Sequence, residues 1–146
     1  MLDGLFITPA VTAIDEALAS ARATEGPLVV VGNAKLAGAL GRTREVIVVG
    51  LSERAARKLT NALSDTGSIA GRSCAAVIGT NVVDDAAWEA TLRAWSRCVR
   101  DGGAIIFVDK GHAEEASRRA LCAGLSEIEQ RHAGRTIITS GLVTHL

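Results

Sequence analysis

Three short runs in this sequence are apolar at nearly every position: Leu28-Val29-Val30-Val31, Val46-Ile47-Val48-Val49 and Ala104-Ile105-Ile106-Phe107-Val108. A milder run, Cys74-Ala75-Ala76-Val77-Ile78, lies between the second and third. Runs this short, without apolar–polar alternation, predict strands buried on both faces, which is the signature of a parallel sheet covered by helices. Segments of helical period separate them. Thr8 and Pro9 predict an N-cap and first-turn proline for a helix that carries Val11, Ile14, Leu18 and Ala21 on one face. Leu36 to Leu40 suits one or two helical turns, and Ser52 caps a helix bearing Ala55, Ala56, Leu59, Ala62 and Leu63. The stretch 64–73 is weakly patterned, with at most a small strand at 68–70.

From Asp84, read as an N-cap, a helix runs to about Val99 with Trp88, Leu92, Trp95 and Val99 inward, and Asp101-Gly102-Gly103 ends it. His112 to about Ala123 is helical, with Gly124 as the C-cap residue. Leu125 to His132 and Arg135 to Thr139 then predict two strands joined at Ala133-Gly134, an antiparallel hairpin at one edge. The predicted architecture is a three-layer α/β/α sandwich with a doubly wound sheet. It is one domain over residues 1–146, with an N-terminal extension and helix at 1–26 and the core at 27–142.

Composition narrows the partners. Sixteen basic and sixteen acidic side chains cancel, and no basic tract would track a phosphate backbone, so nucleic acid is not an expected partner. No run has transmembrane length and the first residues lack a signal-peptide pattern, so the expected setting is the cytoplasm, away from membranes. Cys74, Cys98 and Cys122 are far apart and read as buried free thiols of a reducing compartment. His112, His132 and His145 have no metal-ligand spacing, so no metal is expected.

In a doubly wound sheet ligands bind beyond the carboxyl ends of the strands, so the residues there carry the candidate chemistry. After the first strand come Gly32, Asn33, Ala34 and Lys35, small or polar residues that allow a ligand to approach the backbone. Gly50 and Leu51 follow the second strand. Thr80 and Asn81 could orient a ligand and Asp85 could act as a general base. After the next strand His112 is the titratable group suited to proton transfer near neutrality.

The segment from Trp95 to Asp109, a helix ending in Arg100-Asp101-Gly102-Gly103 before an apolar strand, resembles part of the class I S-adenosylmethionine-dependent methyltransferases. The tail Ala123 to Arg131, followed by Gly134 to Ile138, is similar to the last two strands of that family. The likeness spans about 27–142 and implies a Rossmann-like methyltransferase fold. By the resemblance, S-adenosylmethionine would lie across Gly32, Asn33, Ala34, Lys35, Gly50 and Leu51, with Thr80 to Asp85 toward the substrate. The sequence departs from the pattern at its polar anchors. Val30 stands at the acidic position of the first loop, Ala34 at the second glycine, Gly50 at the ribose carboxylate and Ala75 at the acid of the adenine side, and the third glycine is missing.

The expectation is therefore a methyltransferase-like pseudoenzyme with a decayed cofactor site, holding either no cofactor or S-adenosylmethionine. It would serve as a scaffold or interaction module with a protein partner or as a homodimer. The alternative is a divergent, active small-molecule methyltransferase. Trp88 and Trp95 are expected in the core, either one becoming a partner-binding residue if exposed. The apolar stretch 141–146 is expected to complete the edge hairpin or to pair with another subunit.

Overall fold

The computed structural model describes residues 2–21, 26–50, 62–63 and 66–145. Its elements are α1 (Leu2–Ser20), β1 (Leu28–Val31), α2 (Ala34–Leu40), β2 (Val46–Val49), β3 (Ala62–Leu63), β4 (Cys74–Thr80), α3 (Trp88–Cys98), β5 (Val99–Lys110), α4 (Ala113–Cys122), β6 (Ser126–Ala133) and β7 (Thr136–Leu142). Single 3-10 turns cover Thr66–Ser68 and Val82–Asp84.

The strands form one sheet of seven in the order β3-β2-β1-β4-β5-β7-β6. The pairs from β3 across to β5 are parallel, and β7 runs antiparallel to both β5 and β6. The expected doubly wound sheet with a C-terminal antiparallel hairpin is therefore present. The last strand inserts inside the sheet, leaving β6 at the rim.

Side chains divide between two cores. Val30, Ala76, Ile78, Ala104 and Ile106 pack against Ala10, Ile14, Ala17 and Leu18 of α1 and Leu36 and Leu40 of α2. Val29, Val77, Ile105 and Phe107 point the other way, against Leu92 and Trp95 of α3 and Ala116 and Ala120 of α4. This is the strict alternation of a strand buried on both sides.

Several boundaries differ from those the sequence suggests, each for a physical reason. Helix α1 starts at Leu2, not at a Thr8 cap, so Pro9 lies inside it. An interior proline forfeits one backbone bond at a cost of about 3 kcal/mol, yet the buried face that follows it keeps the helix on the sheet. Ala62 and Leu63 form β3, pairing with Val48 and Val49, where the pattern suggested helix; Ser52 to Leu59 lie outside the described residues. The expected strand at 68–70 is replaced by the turn at Thr66–Ser68.

Helix α3 starts at Trp88, not Asp84, and Asp84 ends a 3-10 turn. Strand β5 begins at Val99, and Asp101-Gly102-Gly103 forms a bulge inside it: Cys74 opposes Val99 while Ala76 opposes Ala104. The bulge depends on Gly103, because a Cβ there would sit 2.5 Å from the carbonyl oxygen of Ala75. Val143 accepts from the Gly102 N–H and donates to the Gly103 carbonyl, each at 2.8 Å, so the tail completes the sheet beside the bulge.

The C-cap of α4 is as expected. Gly124, at φ +84, donates to the Leu121 carbonyl and Leu125 donates to that of Ala120, the two bonds of a Schellman motif. Cys74 and Cys98 are buried free thiols, but Cys122 is exposed. It lies two residues beyond Ala120, on the opposite side of α4 from the buried Ala116 and Ala120.

Trp95 is in the core as expected, whereas Trp88 is only half-buried. The guanidinium of Arg119 stacks 5.2 Å from the Trp88 ring centroid and that of Arg118 5.6 Å from it. Trp95 closes on β4 at Gly79, where an added Cβ would lie 2.0 Å from the indole. Gly79→Ala is therefore expected to cost roughly 1–3 kcal/mol in urea unfolding. Paired with Trp95→Phe it should cost distinctly less than the two single changes summed. Simple additivity would show that the two sites do not touch.

Candidate functional site at the carboxyl edge of the sheet

Winding reverses between β1 and β4, so the connections leaving these two neighbours travel to opposite sides. A crevice opens there by topology alone. A cavity of about 310 Å³ occupies it, lined by Gly32, Asn33, Lys35 and Leu36 from the β1 end, Thr80 and Asn81 from the β4 end, and Val108 to Lys110 of β5. Ala10 of α1 and Thr136 of β7 close the remaining sides. This size suits a small metabolite.

Of the residues singled out in the sequence, the structure gathers Gly32, Asn33, Lys35, Thr80 and Asn81 on this cavity. Gly32 has φ +72 and its missing Cβ would meet nothing within 4 Å, so backbone conformation, not crowding, calls for glycine. Its N–H donates to the Val49 carbonyl at 2.8 Å, tying the loop to β2. Asn33 is the N-cap of α2, its Oδ1 accepting from the Leu36 N–H at 2.9 Å. Ala34 is the first residue of α2 and does not line the cavity. Gly50, at φ +71, lies against Val31 and the Gly32 N–H, also outside the cavity lining. Leu51 lies outside the described residues.

The two proton-transfer candidates stand elsewhere. Asp85 accepts from the Ala87 N–H through Oδ1 at 2.8 Å and from the Thr91 hydroxyl through Oδ2 at 2.7 Å. Both oxygens thus serve the first turn of α3. His112 is exposed, at φ +60, in the N-cap position of α4. Gly111 and His112 both take left-handed backbone, which turns the chain toward the α3–α4 face. The cavity opens on the face of α1 and α2.

Sequence reasoning did not assign Ala10, Leu36, Val108, Asp109, Lys110 or Thr136 to this site. The β5 residues carried a usable signal. Val108 and Lys110 alternate onto the face of Ala104 and Ile106, and Lys110 pairs in register with Thr136. Ala10 arrives only through packing of α1.

Asp109 is 3% exposed, and its Oδ1 accepts from the Val83 N–H at 3.1 Å. Its Oδ2 is buried and has no partner among the described residues. Burial raises the Asp109 carboxyl above its ordinary range; the N–H groups of Val83 and Val82 oppose this, Asp84 adds to it, and Arg119 counters it. Arg119 also donates to the carbonyls of Val82 at 2.6 Å and Asp85 at 3.2 Å, pinning the segment after β4 to α4. Glu115 holds Arg119 at 3.0 Å and also binds Arg118. Hydrogen bonds from Arg118 and then Arg119 lower the Glu115 carboxyl to about 2.

With this geometry in place, the likenesses to solved proteins take on meaning. A SAM-dependent methyltransferase from Thermotoga maritima superposes over 97% of this chain and 99% of its own, with a TM-score of 0.68 and 14% identity. The chain carries the class I methyltransferase fold. The methyltransferase of the Haloferax volcanii complex with the Trm112 methyltransferase activator matches over 91% of this chain and 89% of its own, at a TM-score of 0.69 and 16% identity. The Thermus thermophilus 16S rRNA N2 G1207 methyltransferase, bound to AdoMet and guanosine, matches at a TM-score of 0.61 and 16% identity over 83% of this chain. The chain spans 36% of that protein and 48% of the methyltransferase domain of the citrinin polyketide synthase. No protein-family model matches the sequence, and no curated protein matches it.

Within the methyltransferase fold, the positions at which the resemblance implies acids are now placed. Val30 and Ala75 are buried apolar residues, 0% and 1% exposed, and Val30 packs beneath α1 and α2. The first loop is two residues long, Gly32 and Asn33, before α2 begins.

The raised Asp109 carboxyl has a consequence for stability. A carboxyl with a higher pKa in the folded state binds more protons there than in the unfolded chain, so stability falls as pH rises from the ordinary carboxylate value through the folded one. Asp109→Asn keeps an acceptor for Val83 and removes this titration. The difference in Tm, variant minus wild type, is expected to grow in the variant's favour between pH 4 and pH 7. A difference flat with pH would show that Asp109 does not titrate abnormally.

Proposed function

We propose that this chain is a single methyltransferase-fold domain whose cofactor clasp has been dismantled and which acts as a non-catalytic interaction module. The observation that carries this reading is the connection after β1. The backbone that would have to wrap a cofactor passes through Gly32 and Asn33 straight into α2, with Asn33 spent on the helix cap and Leu36, Ala37 and Leu40 buried beneath it. Val30 and Ala75 offer no acceptor, and Gly50 supplies no carboxylate for ribose hydroxyls. Hydroxyls buried without partners cost about 1–3 kcal/mol each, enough to weaken binding by orders of magnitude.

The similar Haloferax methyltransferase, found in complex with an activator protein, supports a protein partner as the role of such a domain. A homodimer is the other form that role can take. A second reading, an active small-molecule methyltransferase, is favoured by one feature: the cavity at the switch point, with Thr80 and Asn81 on one side and Lys35 and Lys110 nearby.

Calorimetric titration with S-adenosylmethionine and S-adenosylhomocysteine separates the readings, with Thr80→Trp as a cavity-filled control. No saturable heat is expected at millimolar ligand. Micromolar binding abolished by Thr80→Trp would overturn the non-catalytic reading and restore the enzyme.

A further inference from the structure

The opposite edge of the sheet, where β4 starts and α3 ends, holds a second hollow unconnected with the cavity above. It is an open groove of about 500 Å³ lined by Gly71, Arg72, Arg93, Ser96, Arg97 and His145. Three arginines and a histidine line it, and no carboxylate does. The whole chain has a net charge of zero, so this concentration of one sign is made by the fold and is invisible in the composition.

The arginines are held in different ways. Arg97 is anchored: its Nη2 donates to the carbonyls of Thr66 at 2.7 Å and Ile69 at 2.9 Å. Arg97 and Arg93 stand one turn apart on α3, a like-charge spacing that weakens a helix. Glu89, one turn before Arg93, forms no ion pair with it among the described residues, and neither Arg72 nor Arg93 has a carboxylate partner there.

Arg72 adds backbone strain. It has φ +55, a left-handed conformation strained for an L-residue with a side chain, although Gly71 stands immediately before it. Its N–H donates to the Arg97 carbonyl at 2.9 Å, which fixes the turn against the end of α3. On the far side, Val99 accepts from His145 Nε2 at 2.6 Å, and the His145 N–H donates to Asp101 Oδ1 at 2.8 Å. With Nε2 bound to a carbonyl the ring is fixed in place, and its protonated form has Nδ1–H as a further donor.

We propose that this groove is a binding site for a small phosphate-bearing ligand, held by Arg72 and Arg93 with Arg97 as the fixed base of the site. Guanidinium forks match phosphate oxygens two at a time, which favours phosphate over a spherical anion. The like-charged pair on α3 is a cost that a bound dianion offsets. Three arginines line the groove and no basic tract of the sequence continues it, so it serves one or two phosphates, not the continuous backbone of a nucleic acid.

The test is calorimetric titration of the full chain with inorganic pyrophosphate at low salt, beside the variants Arg72→Ala, Arg93→Ala and their double. Arg42→Ala, an exposed arginine far from the groove in sequence, serves as a charge control. Saturable binding is expected, weakened at least tenfold in the double variant and unchanged in Arg42→Ala, with all variants melting cooperatively. Absence of saturable heat at 10 mM pyrophosphate, or equal binding by the double variant, would overturn the site. A ten-nucleotide single-stranded RNA is expected to bind no tighter than pyrophosphate. Binding more than tenfold tighter, with a salt slope of several released ions, would overturn the small-ligand assignment.

Discussion

The indole of Trp95 occupies the space directly above Gly79, and much of the molecule is arranged around that contact. Strand β4 is the middle of the sheet, with β1 on one side and β5 on the other, and its Gly79 stands between Val31 of β1 and Phe107 of β5. The missing side chain at Gly79 lets α3 come down close, and the Trp95 ring fills the space above it. That closeness brings the N-terminus of α3 next to the segment leaving β4. There Asp85 binds the first turn of the helix and Asp109 binds Val83. Asp85 and Asp109 are thereby occupied in holding local structure. The opposite face, under α1 and α2, retains a hollow lined by amide, hydroxyl and ammonium groups.

How much of this could be read from the sequence depends on whether the determining interaction is local. The apolar runs at 28–31 and 46–49 became β1 and β2 within a residue, because burial on both faces leaves its mark on every position. Gly124 was legible as a cap because the Schellman geometry needs only nearby residues and a left-handed glycine. Strand β3 was not, since two residues in a helix-like pattern are held by pairing with Val48 and Val49 alone. Nor was the bulge in β5: Asp101-Gly102-Gly103 has the composition of a helix-ending turn. Only the closeness of Ala75 and the return of Val143 make it part of a strand.

The site was legible to the same degree and for the same reason. Gly32, Asn33, Lys35 and Thr80 follow strand ends, and strand ends were predictable. Asp85 and His112 also follow strand ends, yet they lie away from the cavity because the chain after β4 and β5 turns toward the α3–α4 face. That turn depends on left-handed backbone at Asn81, Gly111 and His112. Asparagine and glycine accept that conformation readily, whereas histidine does so seldom enough that no pattern announces it.

The insertion of β7 between β5 and β6 has a consequence for the order in which this sheet can be assembled. A nascent chain makes β5, then α4, then β6, and at that stage β6 has no neighbour, because the strand that joins it to the rest is still unmade. Until β7 is made, the backbone groups of Ala104 to Lys110 are unpaired on that side of β5. β7 then satisfies β5 on one side and β6 on the other. The last two strands, β7 and β6, are therefore gained or lost together, and a partly synthesised chain is a species with β5 as an open edge.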